Sequence, residues 1–312
     1  GDIMIVQTLL VVLLTIISTA CGGPEERKAK YFSLAQEYLE ASNYPKARVA
    51  LRNVLKIDPK DAEAYYLFAR VEEKEKNWRN AVQLYQETIR LAPDHTGALV
   101  TLAKYYLEAH MTEQVSEAAD KVLTRDSRHP QARALKLAAQ AVTEADIPSV
   151  VLATEALAAQ FPAEPDVAIL LATLYGQQHR YREAESTLRR ALEAHPRDMD
   201  LLNNWSLILT QAKDMTNVEA VIRRMIEAEP KSMDHRLRLA RFYIEQGSYP
   251  NAEAVLRDAV ALAPEDEARW IVLAEYFVHR KDSASAERVL LDAAAQIPYS
   301  NKIQLALATF YR

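Results

Sequence analysis

The chain opens on an apolar stretch, Ile3 to Ala20, that ends in small residues and changes at Cys21 to the polar sequence GGPEERKAK. Beyond it, apolar and polar positions recur with a long period. Pro59 and Pro93, then Pro162, Pro196, Pro230, Pro264 and Pro298, each follow their predecessor within the run by 34 residues. Pro93 and Pro162 are 69 residues apart, two periods and one residue more, which places a single inserted residue in the third repeat near Ser127. On this period repeats begin at Lys28, Ala62, Thr96, Gln131, Pro165, Met199, Met233 and Glu267, and a ninth starts at Asn301. The eighth position is small throughout: Ala35, Ala69, Ala103, Ala138, Ala172, Ser206, Ala240, Ala274 and Ala308. The twentieth reads Ala47, Ala81, Val115, Val150, Ala184, Val218, Ala252 and Ala286, and large residues such as Leu51, Tyr85, Leu188, Ile222, Leu256 and Leu290 stand at the twenty-fourth.

Small residues at two phased positions let two backbones cross closely, so the pattern predicts a pair of packed helices in each repeat. Turn formers sit between the two, at Asn43, Asn77, Asp214, Ser248 and Asp282, and Pro45, Pro148 and Pro250 follow where proline suits the first turn of a second helix. Gly247 is the only glycine at position 15, so most first helices are expected to end without a glycine C-cap. Repeat four departs from the pattern, with Ala141 where an aromatic is expected and Thr154 where a large residue is, and is the expected flexible joint.

Composition agrees. Only six glycines occur among 312 residues of which 49% are apolar, which starves a sheet-rich fold of turns and predicts an all-α chain. The 38 basic and 43 acidic residues are spread along the chain, with no basic block to neutralise a row of phosphates, so nucleic acid is not an expected partner. A single cysteine excludes an intrachain disulfide and any multi-thiolate metal site. No HExxH, GxSxG or phosphate-cradling glycine loop is present. No catalytic residue, metal ligand, cofactor or small-molecule substrate is therefore expected, and the protein is read as a non-enzyme.

The phased positions, a bulky residue at 4, Leu at 7, small at 8, aromatic at 11, Ala at 20, bulky at 24, Ala at 27 and Pro at 32, resemble the tetratricopeptide-repeat (TPR) family. Repeat five carries the resemblance most fully, in Leu171, Ala172, Tyr175, Ala184, Leu188, Ala191 and Pro196. The resemblance covers residues 28–312 and implies a right-handed superhelical solenoid of helical hairpins whose concave face is lined by the first helix of each repeat. Eight repeats are expected at 28–61, 62–95, 96–130, 131–164, 165–198, 199–232, 233–266 and 267–300, with 301–312 a truncated ninth of an array expected to continue. In TPR proteins positions 2, 5, 9, 12 and 13 face the groove. Position 5 supplies an apolar stripe, Phe32, Tyr66, Val100, Leu135, Ile169, Leu237 and Ile271, to which Leu39, Leu107, Val142, Ile244 and Val278 add from position 12. The stripe is the expected seat of a protein or peptide partner, though packing against the next repeat would explain it equally. Acids at position 2, Glu63, Asp166, Asp200 and Asp234, suit the positive end of a helix dipole. The carboxylate clamp of some TPR domains is not supported, since Phe32 and Gln36 stand where it needs Lys and Asn.

Ser18-Thr19-Ala20-Cys21 resembles the lipobox of bacterial lipoproteins. That resemblance implies a signal peptide over 1–20, a lipidated tether over 21–27, and Cys21 as the lipidated residue. Gly22 resembles the outer-membrane sorting pattern, so an outer-membrane lipoprotein facing the periplasm is expected. With repeats starting directly after the tether, the chain is similar to the long TPR lipoproteins of exopolysaccharide export and PEP-CTERM sorting systems. A regulator of cell-wall enzymes, an outer-membrane assembly lipoprotein and an enzyme with its catalytic domain beyond Arg312 are the alternatives. Replacing the thiol in Cys21→Ser is expected to abolish incorporation of radiolabelled fatty acid; equal labelling of both proteins would refute the lipid site.

Overall fold

The computed structural model describes residues 22–143 and 146–312; the predicted signal peptide and Cys21 lie outside them. Seventeen helices and no strand occur among the described residues. The chain divides into two compact units, residues 1–157 and 158–312. The first holds hairpins of α1 (Pro24–Glu40) with α2 (Tyr44–Ile57), α3 (Ala62–Lys74) with α4 (Trp78–Leu91), and α5 (Thr96–Glu108) with α6 (Thr112–Arg125). It ends in α7 (Pro130–Thr143) and α8 (Ile147–Gln160), whose last residues belong to the second unit. The second unit pairs α9 (Pro165–Gln177) with α10 (Tyr181–Ala194), α11 (Met199–Gln211) with α12 (Met215–Ala228), α13 (Met233–Glu245) with α14 (Tyr249–Leu262), and α15 (Glu267–His279) with α16 (Ser283–Gln296), before α17 (Asn301–Phe310). Inside each unit a second helix packs on its own first helix and on the first helix of the following repeat, the stacked-hairpin solenoid of the sequence pattern.

The close crossings are where the period placed them. Position 20 is at most 4% exposed in all eight repeats, and position 8 is equally buried in every one of them except repeat four, where Ala138 is only half-buried. Tyr85, Leu188 and Leu51, at position 24, are among the largest fully enclosed side chains. The apolar core runs from repeat to repeat, as one cluster joining Ala35, Leu51 and Val54 to Ala64 and Leu67 shows.

The turns inside the hairpins close without glycine in all but one of the seven described cases. Position 15 takes positive φ in seven repeats, at Ser42, Lys76, His110, His179, Lys213, Gly247 and Lys281, so the left-handed cap forms with or without glycine. In each the following residue reaches back five, as Asn43 N–H does to Tyr38 C=O and Asp214 N–H to Leu209 C=O, while position 15 itself bonds the carbonyl three before it. These bonds satisfy carbonyls that a helix end leaves orphaned, which is why the geometry persists against the steric cost of a side chain. The residue at position 16 then caps the second helix: Asn43, Asp214 and Asp282 accept from the backbone N–H three residues on.

Two boundaries move. Helix α1 starts at Pro24 with Glu25 and Glu26 in its first turn, so residues 24–27 of the predicted tether are helical and continuous with the first repeat; proline and acids both favour a helix N-terminus. In repeat four, His129 accepts from Ala132 N–H as His95 does from Ala98 and Asp61 from Ala64. That repeat therefore starts at Pro130, not Gln131, and repeat three has the regular length. The extra residue falls in the fourth hairpin, whose first helix has 14 residues where those of the neighbouring repeats have 13. The slip explains why Ala138 misses its crossing.

Three buried polar side chains replace apolar ones. Glu72 is 5% exposed and accepts from Arg48 Nε at 2.6 Å and from Asn77 Nδ2 at 3.0 Å. Arg236 donates to the Pro230 and Ser232 carbonyls, and Arg269 to those of Ala259 and Lys231 as well as to Asp266. The two arginines thus tie down backbone of the turn between repeats, and all three side chains have the partners that burial of a charge demands.

Two substitutions test this account by thermal or urea unfolding. Ala172→Leu, at a crossing 1% exposed, is expected to cost about 1–3 kcal/mol by overpacking. Gly247→Ala, whose Cβ would meet nothing within 4 Å but whose φ is +71°, is expected to cost about 1 kcal/mol through the backbone alone. No loss in either would show that the crossing or the left-handed turn is not a constraint.

Candidate partner-binding surface

The surface in question is that of the first helices, considered within each unit. At position 5 the structure divides the predicted stripe. Val100 and Leu135 are 6% and 5% exposed and belong to one core cluster with Leu99, Ala103 and Val115. These two are core residues, a correction to their predicted role; the stacking of the third and fourth hairpins encloses both. Phe32 is half-buried against the cluster around Ala35 and Leu39. Tyr66 is half-buried too, its ring 5.7 Å from that of Tyr85 and 4.5 Å from that of His95. A Cβ on Gly97 would stand 2.7 Å from the Tyr66 hydroxyl, so this side chain lies across the first turn of the next repeat. Ile169, Leu237 and Ile271 are likewise half-buried in the second unit. Position 5 is thus chiefly a seam between repeats, with partial exposure at five of its seven predicted residues.

Exposed apolar area lies one to two helical turns on. Val142, Ile244 and Val278, at position 12, are 49%, 40% and 50% exposed, whereas Leu39 at the same position is buried. Leu207, at position 9 of repeat six, is 52% exposed. The apolar stripe of position 5 does not include Leu207. The signal available was that Leu207 stands at a groove position without belonging to any of the small, bulky or aromatic core positions.

Polar groups on these helices are largely engaged. Glu63 bonds His95 Nε2 at 2.9 Å, while His95 Nδ1 caps α5. Glu73 accepts from the Tyr85 and Tyr105 hydroxyls at 2.9 and 2.6 Å. Burial, then the Glu73 carboxylate, raises the pKa of both phenols, which stay protonated as donors. In the second unit the Arg238 guanidinium donates to Asn203 Oδ1 at 2.7 Å and Ser206 Oγ at 2.9 Å, and burial lowers its pKa. On the second-helix side of the first unit, a crevice of about 660 Å³ is lined by Arg48, Arg52, Tyr65, Phe68, Glu72 and Asn80 among others. No cluster of three or more metal-ligating side chains occurs among the described residues, and none of their helices is long and apolar enough to cross a membrane.

Stacked helical hairpins with partly open first helices define a repeat scaffold, a class that binds other proteins. Family models for the tetratricopeptide repeat match residues 32–96 and 169–232, and another such model matches 209–276, together more than half of the chain. The chain belongs to the tetratricopeptide-repeat family. It is 30% identical over 142 residues to the type IV pilus assembly protein PilF of Pseudomonas aeruginosa, a match over 41% of this chain and 55% of that protein's length. Among solved structures it is similar to a chain of the APC/C hetero-tetramer Cut9–Hcn1, at TM-score 0.49 and 17% identity over 94% of this chain and 58% of that one. It is also similar to a tetratricopeptide repeat protein from Parabacteroides merdae, at TM-score 0.40 and 13% identity over 92% of this chain and all of that one. The chain spans little more than half the length of the first two. TPR proteins are typically non-catalytic scaffolds, and mediation of protein–protein contacts is the general role of this chain.

The division between core and surface has measurable consequences. Leu135→Ala is expected to cost about 2–5 kcal/mol of stability, and Ile244→Ser to stay within about 0.5 kcal/mol of wild type; similar losses would erase the distinction. For Glu72, burial raises the pKa, but the bonds from Arg48, Asn77 and Asn80 outweigh it and the net value falls below the ordinary 4.5. A depressed carboxylate stabilises the fold above its ordinary pKa, and that contribution is lost as pH falls through the lower folded value. Wild type should therefore lose stability more steeply than Glu72→Gln on acidification below the ordinary value, as followed by urea unfolding at stepped pH.

Proposed function

We propose that this protein is a membrane-tethered TPR scaffold of the bacterial envelope, anchored through a lipid on Cys21 at the outer membrane and holding a protein partner on its first-helix faces. The observation that carries the binding surface is the exposure of Leu207, Ile244 and Val278 on the first helices of three consecutive repeats in the second unit. Isolated exposed apolar side chains are common, but one per hairpin on the first helix of successive repeats offers a set of anchors. A few such anchors supply most of the affinity in many interfaces. The lipobox-like Ser18-Thr19-Ala20-Cys21 supports the tether. Two diacylglycerol chains, each contributing about 0.8 kcal/mol per buried methylene, would make it lasting.

Two envelope roles follow from the similarities. Exopolysaccharide export or protein sorting matches the long TPR lipoproteins that the sequence resembles. An outer-membrane assembly role is favoured by the likeness to a pilus assembly protein. In either, the scaffold positions one component of a larger machine. A photo-crosslinking amino acid at Ile244 or Val278 is expected to capture a discrete envelope protein, while the same probe at Leu262, exposed but on a second helix, captures none. Equal capture from all three would remove the first-helix face from the proposal, and crosslinks confined to soluble proteins would remove the tether.

A further inference from the structure

We propose that the corner formed by Glu73, Tyr105 and Trp78 in the first unit receives a cationic side chain, a guanidinium or ammonium, from a bound protein segment. This rests on the reading of the first-helix faces as partner-binding and adds the chemistry that one of them selects. Glu73 lies near the end of α3 and is half-buried. Its two oxygens are held by neutral hydroxyls, Tyr85 on one and Tyr105 on the other, and it enters no ion pair among the described residues. A carboxylate is acceptor-only, with about four lone-pair sites, so two such bonds leave capacity for further donors. Their donors bring no positive charge. Partial burial also reduces solvent screening, so an approaching cation meets more attraction than at an open surface.

The approach is lined with aromatic rings. Trp78 is 51% exposed, and its ring lies 6.4 Å from that of Tyr105, whose hydroxyl is the one bonded to Glu73. A cation over an indole or phenol face is drawn by the ring quadrupole. The charges that act most on the Tyr105 hydroxyl are both carboxylates, Glu73 and Glu108. Arg70 and Lys104 lie within electrostatic range of Tyr66, as Glu73 does, while the Glu73 carboxylate itself is bonded by the Tyr85 and Tyr105 hydroxyls. The structure thus brings together a carboxylate whose hydrogen-bond donors are neutral hydroxyls, an exposed indole and a phenol between them. An acidic segment would be repelled there, and a purely apolar one would leave Glu73 uncompensated.

The test is a titration of the full chain with end-capped peptides that differ at one central residue: Arg, its neutral isostere citrulline, or Glu. Binding is read from the Trp78 indole N–H in NMR spectra. The Arg peptide is expected to bind about tenfold more tightly than the citrulline peptide, a difference of about 1.4 kcal/mol, and the Glu peptide least. Glu73→Gln, which still accepts a hydroxyl hydrogen bond, is expected to erase the preference. Trp78→Ala, outside the core, should reduce it with the melting temperature unchanged, and is then read from the Tyr105 ring resonances. Equal binding of Arg and citrulline peptides, or a preference that survives Glu73→Gln, would overturn the inference. If crosslinking from Ile244 succeeds while no Arg preference appears, this inference alone fails; if crosslinking also fails, so does the reading it rests on.

Discussion

Everything in this architecture depends on the close approach of two helix backbones at a pair of small residues. At positions 8 and 20 a larger side chain would push first and second helix apart, and the bulky residues at position 24 would then have no wall to pack against. A single hairpin cannot enclose its apolar face, so each repeat completes the core of the one before it. The contact pattern is accordingly one of near neighbours in sequence. This local dependence is why a one-residue slip in the fourth hairpin is absorbed where it occurs, and why the helices after it return to phase by Pro165.

The turn chemistry is subordinate to that packing. Lysine, histidine and serine accept a left-handed conformation that glycine would take at no steric cost, because the hydrogen bonds closing the first helix and the fixed angle of the hairpin require it. The buried charges obey the same logic. Glu72 stands where an aromatic is usual, and it is tolerated because Arg48 of the preceding repeat and two asparagines surround it. Arg236 and Arg269 convert a burial cost into bonds that pin the loops between repeats.

Function occupies what packing leaves over. Once small, bulky and aromatic positions are committed to the core, and position 5 largely to the seam between repeats, the free chemistry of the first helices is concentrated at positions 9 and 12. In the second unit this remainder is apolar, at Leu207, Ile244 and Val278. In the first unit position 12 holds Glu73, which meets Tyr105 of the next first helix near Trp78 at the start of a second helix.

The amino-acid sequence by itself determined the helical class, the period and the residues of the close crossings. These follow from side-chain size repeated in phase, and a local requirement met eight times leaves little freedom. It also marked the turns, since Asn43, Asp214 and Asp282 cap helices through chemistry confined to a few residues. It did not determine which apolar residues outside the core signature stay exposed. Val100 and Ile169 share a position and a character, yet one is enclosed and the other half-open, because exposure depends on the shape of the adjoining hairpin. Nor could it show that Glu73 would meet Tyr105, 32 residues away, with no cation between them. Only the stacking of one repeat on the next decides that, because it sets distances between side chains that no spacing within a single helix encodes.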